Sequence, residues 1–142
     1  MTKEEWKKVE DWWGTGFSSV KLMVDGHEIQ LHNIIDKKKM IVSVEIYVDG
    51  YIKGEYSNKD SEIGNHFWQR IKKALYSTKE LKERAKIWGK RHEAAQQSYF
   101  EYNLPYWRSF NAFKKHLTQN NTDIKLISCG WEENRTNDEP GN

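Results

Sequence analysis

Two Asp-Gly dipeptides, each set between stretches of alternating apolar and polar residues, constrain the fold of this chain more than any other feature. They are Asp25-Gly26, between residues 20–24 and 28–31, and Asp49-Gly50, between residues 41–48 and 51–56. Asp and Gly tolerate the positive φ angles of two-residue hairpin turns, and a period of two is typical of a half-buried strand. The pattern predicts two hairpins in tandem, which form a four-stranded antiparallel meander with the third and most apolar strand at its centre.

A helix is predicted on the N-terminal side of this meander. Thr2 and Glu5 have the spacing of a capping box, in which the Thr oxygen accepts from the Glu backbone N–H and the Glu side chain reaches back. The helix is expected over residues 3–13, and Gly14 and Gly16 end it. Its apolar face is expected to comprise Trp6, Val9 and Trp13.

Three helical segments are predicted after the meander and a polar stretch at 57–65. Residues 66–75 read as a short helix or an irregular segment, with Phe67, Ile71 and Leu75 in register. A longer helix of about five turns is expected from its N-cap Thr78, and Gly89 permits a bend in it. Its apolar stripe would comprise Leu81, Ala85, Trp88, His92, Ala95 and Tyr99.

The third of these helices is expected over residues 110–117, with Ser109 as its N-cap and Asn120-Asn121 at its end. Its apolar residues are Phe110, Phe113 and Leu117. Residues 123–128 then predict a final strand with Ile124 and Leu126 on one face. The element order is therefore α-β-β-β-β-α-α-α-β, which is that of an α+β fold.

The composition supports a folded domain despite a mean hydropathy of −0.96. Aromatic residues make up 13% of the chain, whereas disordered chains are poor in them, and each aromatic side chain buries a large area. A length of 142 residues suits one domain. We expect a single α+β domain over residues 1–131, followed by a disordered tail over residues 132–142.

The residue types used in catalysis and metal binding form no recognisable constellation in the sequence. Cys129 is the only cysteine, which excludes an internal disulfide and a cysteine-based zinc site. No two histidines have the spacing of a helical metal site, and neither a nucleophile motif nor a phosphate-binding glycine loop occurs. Asp49 and Glu55, which flank a predicted turn, are interpreted as solvated residues. The expectation is a protein without metal or cofactor that is not an enzyme, and a small enzyme is the least favoured class.

We expect neither a signal peptide nor a membrane span in this chain. No apolar segment follows Met1, and no apolar run approaches the roughly 20 residues of a membrane span. We expect a cytoplasmic protein with no membrane partner.

The charge is unevenly distributed, although the formal net charge is only +2. Residues 70–92 carry nine basic and two acidic side chains, whereas acidic residues outnumber basic ones in 1–64 and in 93–142. Such a cluster is typical of a surface that binds an anionic partner, either the phosphate backbone of RNA or DNA or an acidic protein surface. The candidate binding residues are Arg70, Lys72, Lys73, Lys79, Lys82, Lys86, Lys90 and Arg91.

Aromatic residues lie within, beside or just after this basic segment, and cations next to rings suit phosphates with stacked bases. They are Trp68, Tyr76, Trp88, Tyr99, Phe100, Tyr102, Tyr106 and Trp107. Trp88 and Tyr99 lie on the predicted apolar stripe, which favours a core position for both. The lysines are also compatible with an ordinary solvated helix face, on which Lys82, Lys86 and Lys90 would form a nearly straight row.

Three segments carry a resemblance to a known family: YVDGYIKGEY at 47–56, ALYS at 74–77, and 105–121 with its PYWRSF, KKHL and NN motifs. They resemble a family of small proteins encoded by bacteriophages and prophages, chiefly of Gram-positive bacteria, in the same order from the first helix to about Ile127. That family is uncharacterised, so the resemblance implies a context, a phage accessory protein in the bacterial cytoplasm, and assigns no site residue. Many such accessory proteins without catalytic motifs inhibit host defence, and anti-CRISPR proteins are the best-known group.

Two functional hypotheses follow. The first is a non-enzymatic inhibitor that binds a host defence protein or nucleoprotein complex, most plausibly a CRISPR nuclease complex, with the basic segment on nucleic acid and the acidic hairpins on basic protein. The second is a phage nucleic-acid-binding protein that uses residues 70–92 in replication, recombination or transcription. The apolar stripe and the edge strands also offer surfaces for a homodimer.

Overall fold

The computed structural model describes residues 1–15 and 18–130, and it confirms the predicted α+β class with an N-terminal helix, a hairpin meander, several helices and a C-terminal strand. The elements are α1 (Lys3–Trp12), β1 (Ser19–Val24), β2 (His27–Asp36), β3 (Ile41–Val48), a 3-10 helix (Gly54–Ser57), α2 (Glu62–Phe67), β4 (Gln69–Ala74), α3 (Thr78–Trp88), a second 3-10 helix (Glu93–Ala95), β5 (Tyr99–Leu104), β6 (Tyr106–Trp107), α4 (Phe110–Asn120) and β7 (Ile124–Ser128). The tail expected at 132–142 lies outside the described residues.

The capping box of α1 is confirmed, since Glu5 N donates to Thr2 Oγ1 at 3.1 Å and Thr2 N donates to Glu5 Oε1 at 3.0 Å. The buried face of the helix consists of Trp6, Val9 and Trp12. The prediction of Trp13 on this face was wrong, because Trp13 has left the helical conformation, with ψ at 119°. Its half-buried indole instead donates from Nε1 to the carbonyl of Arg108 at 3.1 Å. Gly16, also expected to end the helix, lies outside the described residues.

Five antiparallel strands form the main sheet in the order β6-β3-β2-β1-β7. Both Asp-Gly turns are confirmed, with φ of 47° and 85° at Asp25 and Gly26 and of 51° and 85° at Asp49 and Gly50. β3 is an inner strand, as predicted, with β2 on one side and β6 on the other. The middle strand of the five is β2, because β7 adds to the far side of β1.

The fourth strand expected over residues 51–56 does not form. Tyr51 makes only an isolated bridge with Val48, and Gly54–Ser57 then adopts a 3-10 helix. The chain turns inward here because Tyr56 is buried, with its ring edge-on to Trp68 at 5.5 Å. The free side of β3 is taken by β6.

Residues 66–75 are not a helical unit. α2 starts at its N-cap Ser61 and ends at Phe67, and the next residues form β4, which pairs with β5. The spacing of Phe67, Ile71 and Leu75 fits a helix. Most of this segment nevertheless forms a strand, because it pairs with β5, which lies some thirty residues further along the chain.

The five-turn helix expected from Thr78 is also corrected. α3 is capped by Ser77, whose Oγ accepts from Glu80 N at 3.2 Å, and it ends at Trp88. Gly89 follows with φ at +89°, a conformation that terminates helices and strongly favours glycine. The remaining residues of the predicted stripe lie in the second 3-10 helix, just before it and in β5.

One core lies between a single face of the sheet and helices α1, α2 and α4. α4 is confirmed with its Ser109 N-cap, extends to Asn120, and buries Phe113 and Leu117. The buried residues of the core are Trp6, Val9, Trp12, Val20, Leu22, Val24, Ile29, Leu31, Val44, Ile46, Val48, Tyr56, Phe67, Trp68, Trp107, Phe113, Leu117 and Cys129. Two buried indoles keep hydrogen bonds, from Trp68 Nε1 to Ile46 O at 3.2 Å and from Trp107 Nε1 to Phe67 O at 3.1 Å.

No helix in the described ranges combines the length and the apolar character needed to cross a bilayer.

Gly64 provides a test of the packing between α2 and the rest of the core. A Cβ at this position would collide with the carbonyl of Tyr56 and the amide of Asn103. An Ala normally favours a helix by about 1 kcal/mol over Gly, but here we expect Gly64→Ala to lower the free energy of unfolding by roughly 1–3 kcal/mol.

Urea unfolding measures this change. Gly54→Ala is the matched control, because its Cβ would meet open space, and its free energy of unfolding should stay within about 0.5 kcal/mol of wild type. A Gly64→Ala protein as stable as the control would contradict the close approach of α2 to Tyr56.

Candidate functional site

The positive segment lies in a substructure distinct from the main sheet, which we call the basic arm and define as residues 69–104. β4 leaves the rest of the described molecule, which we call the body, and β5 returns to it. The two strands pair with each other as a two-stranded ribbon, from Gln69↔Leu104 to Ala74↔Tyr99, and an isolated bridge joins Tyr102 to Asn58 of the body. Between them lie α3 and the second 3-10 helix, which pack mainly on one another. No residue of α3 is buried. Among the described residues of the arm, Asn103 is the one that is buried, and the others are half-buried or exposed.

A buried polar hub at Asn103 attaches the base of the arm to the body. Asn103 is 1% exposed, and its Nδ2 lies 3.1 Å from Tyr56 O, 3.1 Å from Asn58 O and 3.0 Å from Asn65 Oδ1. Its Oδ1 accepts from Nε of Arg70 at 3.0 Å. The hub therefore ties both strands of the ribbon to the segment that precedes and enters α2.

Polar side chains also hold the outer end of the arm. The guanidinium of Arg84 lies 3.9 Å from the ring centre of Tyr76, and its Nη1 donates to Ala94 O at 3.1 Å. The Gln97 side chain accepts from Tyr76 N at 3.1 Å and donates to Tyr76 O at 2.7 Å. These two bonds have the pattern of the backbone hydrogen bonds between paired strand residues. Cation–π contacts and hydrogen bonds thus position α3 where no apolar core does.

The eight predicted binding residues divide into three groups. Arg70 sits in the hub, where its guanidinium also donates to Glu101 Oε2 at 3.3 Å and to Lys59 O at 2.8 Å. This network favours a structural role for Arg70. The strand β4 carries Lys72 and Lys73 on opposite faces of the ribbon. The others, on α3 and just beyond it, are Lys79, Lys82, Lys86, Lys90 and Arg91, all exposed.

The helix α3 brings three of these lysines together. Leu81, Arg84 and Ala85 form its half-buried inner side. On helix geometry Lys79, Lys82 and Lys86 fall within about 60° of one another on the opposite side. The predicted row of Lys82, Lys86 and Lys90 was wrong in its last member, because the helix ends at Gly89 before Lys90 is reached.

These cations are not neutralised by neighbouring carboxylates. Among the described residues, the ion pair of Arg70 with Glu101 is the only one in the arm. Within the part of the chain that the structure describes, no ion pair is formed by Lys72, Lys73, Lys79, Lys82, Lys86, Lys90 or Arg91. All seven side chains are exposed, so the outer surface of the arm has a positive potential available to a partner.

Three aromatic side chains of the arm are exposed. Trp88 is 54%, Tyr99 57% and Phe100 44% exposed, so the predicted core positions of Trp88 and Tyr99 were wrong. Trp88 stacks on His92 at 5.0 Å, and Phe100 stacks on Tyr102 at 5.8 Å. Tyr76 is half-buried beneath Arg84, whereas Trp68 and Trp107 belong to the core. Tyr106, half-buried, lies in β6.

A concave region that the sequence did not indicate lies beside α2. It has a volume of about 380 Å³ and is lined in part by His27, His66 and Asn121. His27 Nδ1 lies 2.8 Å from Asp49 Oδ2, and Glu28 N donates to Asp49 Oδ1 at 2.9 Å. Burial raises the pKa of the Asp49 carboxyl, but the hydrogen bonds from His27 and Glu28, together with electrostatic attraction to His27 and Lys53, outweigh it, and the net pKa is lowered.

This arrangement connects the end of β3 to the start of β2 and thus has a structural role in the meander. Across residues 1–15 and 18–130, no three His, Cys, Asp or Glu side chains are placed to hold a metal ion.

Searches against protein-family models, curated proteins and solved structures find no match.

Asn103 offers a test of how the arm is attached. Asn103→Leu keeps a similar volume but leaves buried partners of the hub unpaired, each at a cost of about 1–3 kcal/mol. We expect the free energy of unfolding to fall by roughly 2–4 kcal/mol, and amide exchange to accelerate along β4 and β5. Chemical denaturation and hydrogen-exchange mass spectrometry measure the two effects.

Gln97→Leu is the matched control at the outer end of the arm. It removes two hydrogen bonds to Tyr76, so faster exchange should be confined to the segment around Tyr76, with little change in global stability. Equal global losses in the two variants would contradict the assignment of Asn103 as the attachment point.

Proposed function

We propose that this protein is a non-enzymatic nucleic-acid-binding protein whose basic arm contacts the phosphate backbone. The observation that carries the proposal is the exposed side of α3, where Lys79, Lys82 and Lys86 converge without an ion pair among the described residues. Folded proteins commonly pair or disperse their surface charge, whereas a concentrated positive face attracts a polyanion.

The dimensions of this face suit a nucleic-acid strand. Lys79 and Lys86 are seven residues apart, which is about 10 Å along a helix axis and corresponds to the rise of about three nucleotides of one B-DNA strand. Lys72 and Lys73 on the ribbon and Lys90 and Arg91 beyond the helix extend the positive surface on either side.

The acidic residues of α3 do not cancel this surface. Glu80 lies in the first turn, where its charge stabilises the helix N-terminus, and its carboxylate accepts from Ser77 Oγ at 3.2 Å. Glu83 is exposed beside the lysines. Three cations against one unpaired carboxylate leave a net attraction for phosphates.

A more specific role is a second proposal: an inhibitor of a host defence effector in the bacterial cytoplasm, most plausibly a CRISPR nuclease complex. The resemblance to phage and prophage proteins supports it. So does the charge distribution, because residues 1–64 carry twelve acidic and nine basic side chains while the arm is positive. Such a bipolar molecule can contact both the nucleic acid and the basic protein channel of a nucleoprotein.

Charge reversal on α3 tests the nucleic-acid proposal. Lys82→Glu with Lys86→Glu should weaken binding to fluorescein-labelled DNA or RNA by more than about tenfold at 100 mM salt. The slope of log affinity against log salt should flatten by about two, since each phosphate contact contributes about one. Fluorescence anisotropy over a salt series measures both quantities.

The matched control is Lys37→Glu with Lys38→Glu, which makes the same charge change on the exposed loop between β2 and β3. Both double variants should keep the wild-type free energy of unfolding within about 1 kcal/mol. If the α3 variant binds as tightly as the control, the arm is not the nucleic-acid surface.

Inhibition of a defence effector has its own assay. Wild-type protein added to a CRISPR nuclease of a Gram-positive host should reduce cleavage of target DNA in proportion to dose and should co-purify with the complex. Lys82→Glu with Lys86→Glu should lose this effect, while Lys37→Glu with Lys38→Glu retains it. Undiminished cleavage with the effectors of the host would refute the inhibitor role and leave nucleic-acid binding standing.

A further inference from the structure

A groove runs along the outer edge of β5, between that strand and the segment 54–60 of the body. Its volume is about 950 Å³, and its walls include Asn58, Lys59, Lys72, Tyr99 and Tyr102. It forms where the arm meets the body, since Asn58 makes a bridge with Tyr102 and its carbonyl accepts from Asn103. The hub therefore gives the groove a defined shape.

Three aromatic residues of β5 line this groove, Tyr99 from one face of the strand and Phe100 and Tyr102 from the other. Tyr99 is exposed, and Lys72 Nζ lies 4.7 Å from its ring centre. Tyr102 stacks on Phe100, which also lines the groove and is largely exposed. Exposed rings are costly to leave in water and are the groups on which nucleobases stack.

Charged side chains of both signs line the groove. Lys59 and Lys72 supply positive charge, and Glu55, Asp60 and Glu101 supply negative charge. Asn58 Oδ1 accepts from Asp60 N at 2.8 Å, which fixes this side chain within the lining. The carboxylate of Glu101 is engaged by Arg70 at 3.3 Å, so its repulsion of a phosphate is partly offset.

We propose that this groove takes up an unpaired nucleobase, stacked on Tyr99, while the flanking phosphates lie on the lysines beside it, so that the protein prefers single-stranded nucleic acid. The inference rests on the proposed function of the basic arm and names its substrate class. In a duplex the base faces are occupied by neighbouring bases, and a side chain can stack on them only after unstacking. A single strand offers its base faces to Tyr99 and its phosphates to Lys59, Lys72 and the lysines of α3.

The test compares a fluorescein-labelled 12-nucleotide oligo(dT) with a 12-base-pair duplex, using wild type and Tyr99→Leu. Loss of a stacking ring should weaken oligo(dT) binding by about fivefold or more and change duplex binding less than twofold. Tyr51→Leu is the matched control, because Tyr51 is 61% exposed with Lys53 Nζ 5.3 Å from its ring centre but does not line the groove. Photo-crosslinking with 5-bromodeoxyuridine in the oligonucleotide should label Tyr99, Phe100 or Tyr102.

Each of the other possible results contradicts either the groove proposal or the proposed function. Wild-type protein that binds the duplex as tightly as the single strand, or Tyr99→Leu that behaves like Tyr51→Leu, overturns the groove while α3 remains a phosphate-binding surface. An equal loss on both substrates, or crosslinks confined to residues outside the groove, also overturns it. If wild type binds neither substrate at low salt, the proposed function itself fails.

Discussion

The hydrogen-bonded hub at Asn103 is the interaction on which the shape of this protein depends. One buried amide brings together both strands of the arm, the carbonyl oxygens of Tyr56 and Asn58, and the side chain of Asn65. Burying an amide without hydrogen-bond partners would cost several kcal/mol of stability. The positions of the groups around Asn103 are therefore more tightly constrained than those in an apolar contact. Gly64 packs directly on it, which explains why α2 has no room for a larger residue there.

Two kinds of stabilisation therefore coexist in one chain. The body is held by a continuous apolar core of tryptophans and aliphatic residues on one face of the sheet. Beyond Asn103 the arm relies on strand pairing, the Arg84–Tyr76 contact and the Gln97 bridge. Elements without buried apolar surface open more readily, so the arm is expected to be the less stable part. In return, its cations and rings remain free for a partner, which is the physical basis of both functional proposals.

The elements predicted correctly from sequence are those specified by neighbouring residues. The Thr2–Glu5 capping box, the two Asp-Gly turns, the Ser109 cap and the final strand each depend on a few adjacent side chains and backbone φ angles. The basic character of the candidate site was equally visible, because charge is a property of composition. The hydrophobic period predicted the wrong structure for most of residues 66–75, because the same apolar spacing fits both a helix and a strand.

The sequence by itself determined the α+β class, the two Asp-Gly turns and which segment is positive, since these follow from local conformational preference and residue type. Only the tertiary structure decided that β4 pairs with β5, that Trp88 and Tyr99 are exposed, and that segment 54–60 forms a groove with Tyr99. Those features depend on closing loops of some thirty to fifty residues. The entropic cost of closing these loops is offset by the pairing of β4 with β5 and by the hydrogen bonds of the Asn103 hub. A local sequence pattern cannot predict these features, because the residues whose contacts stabilise them lie far apart in the chain.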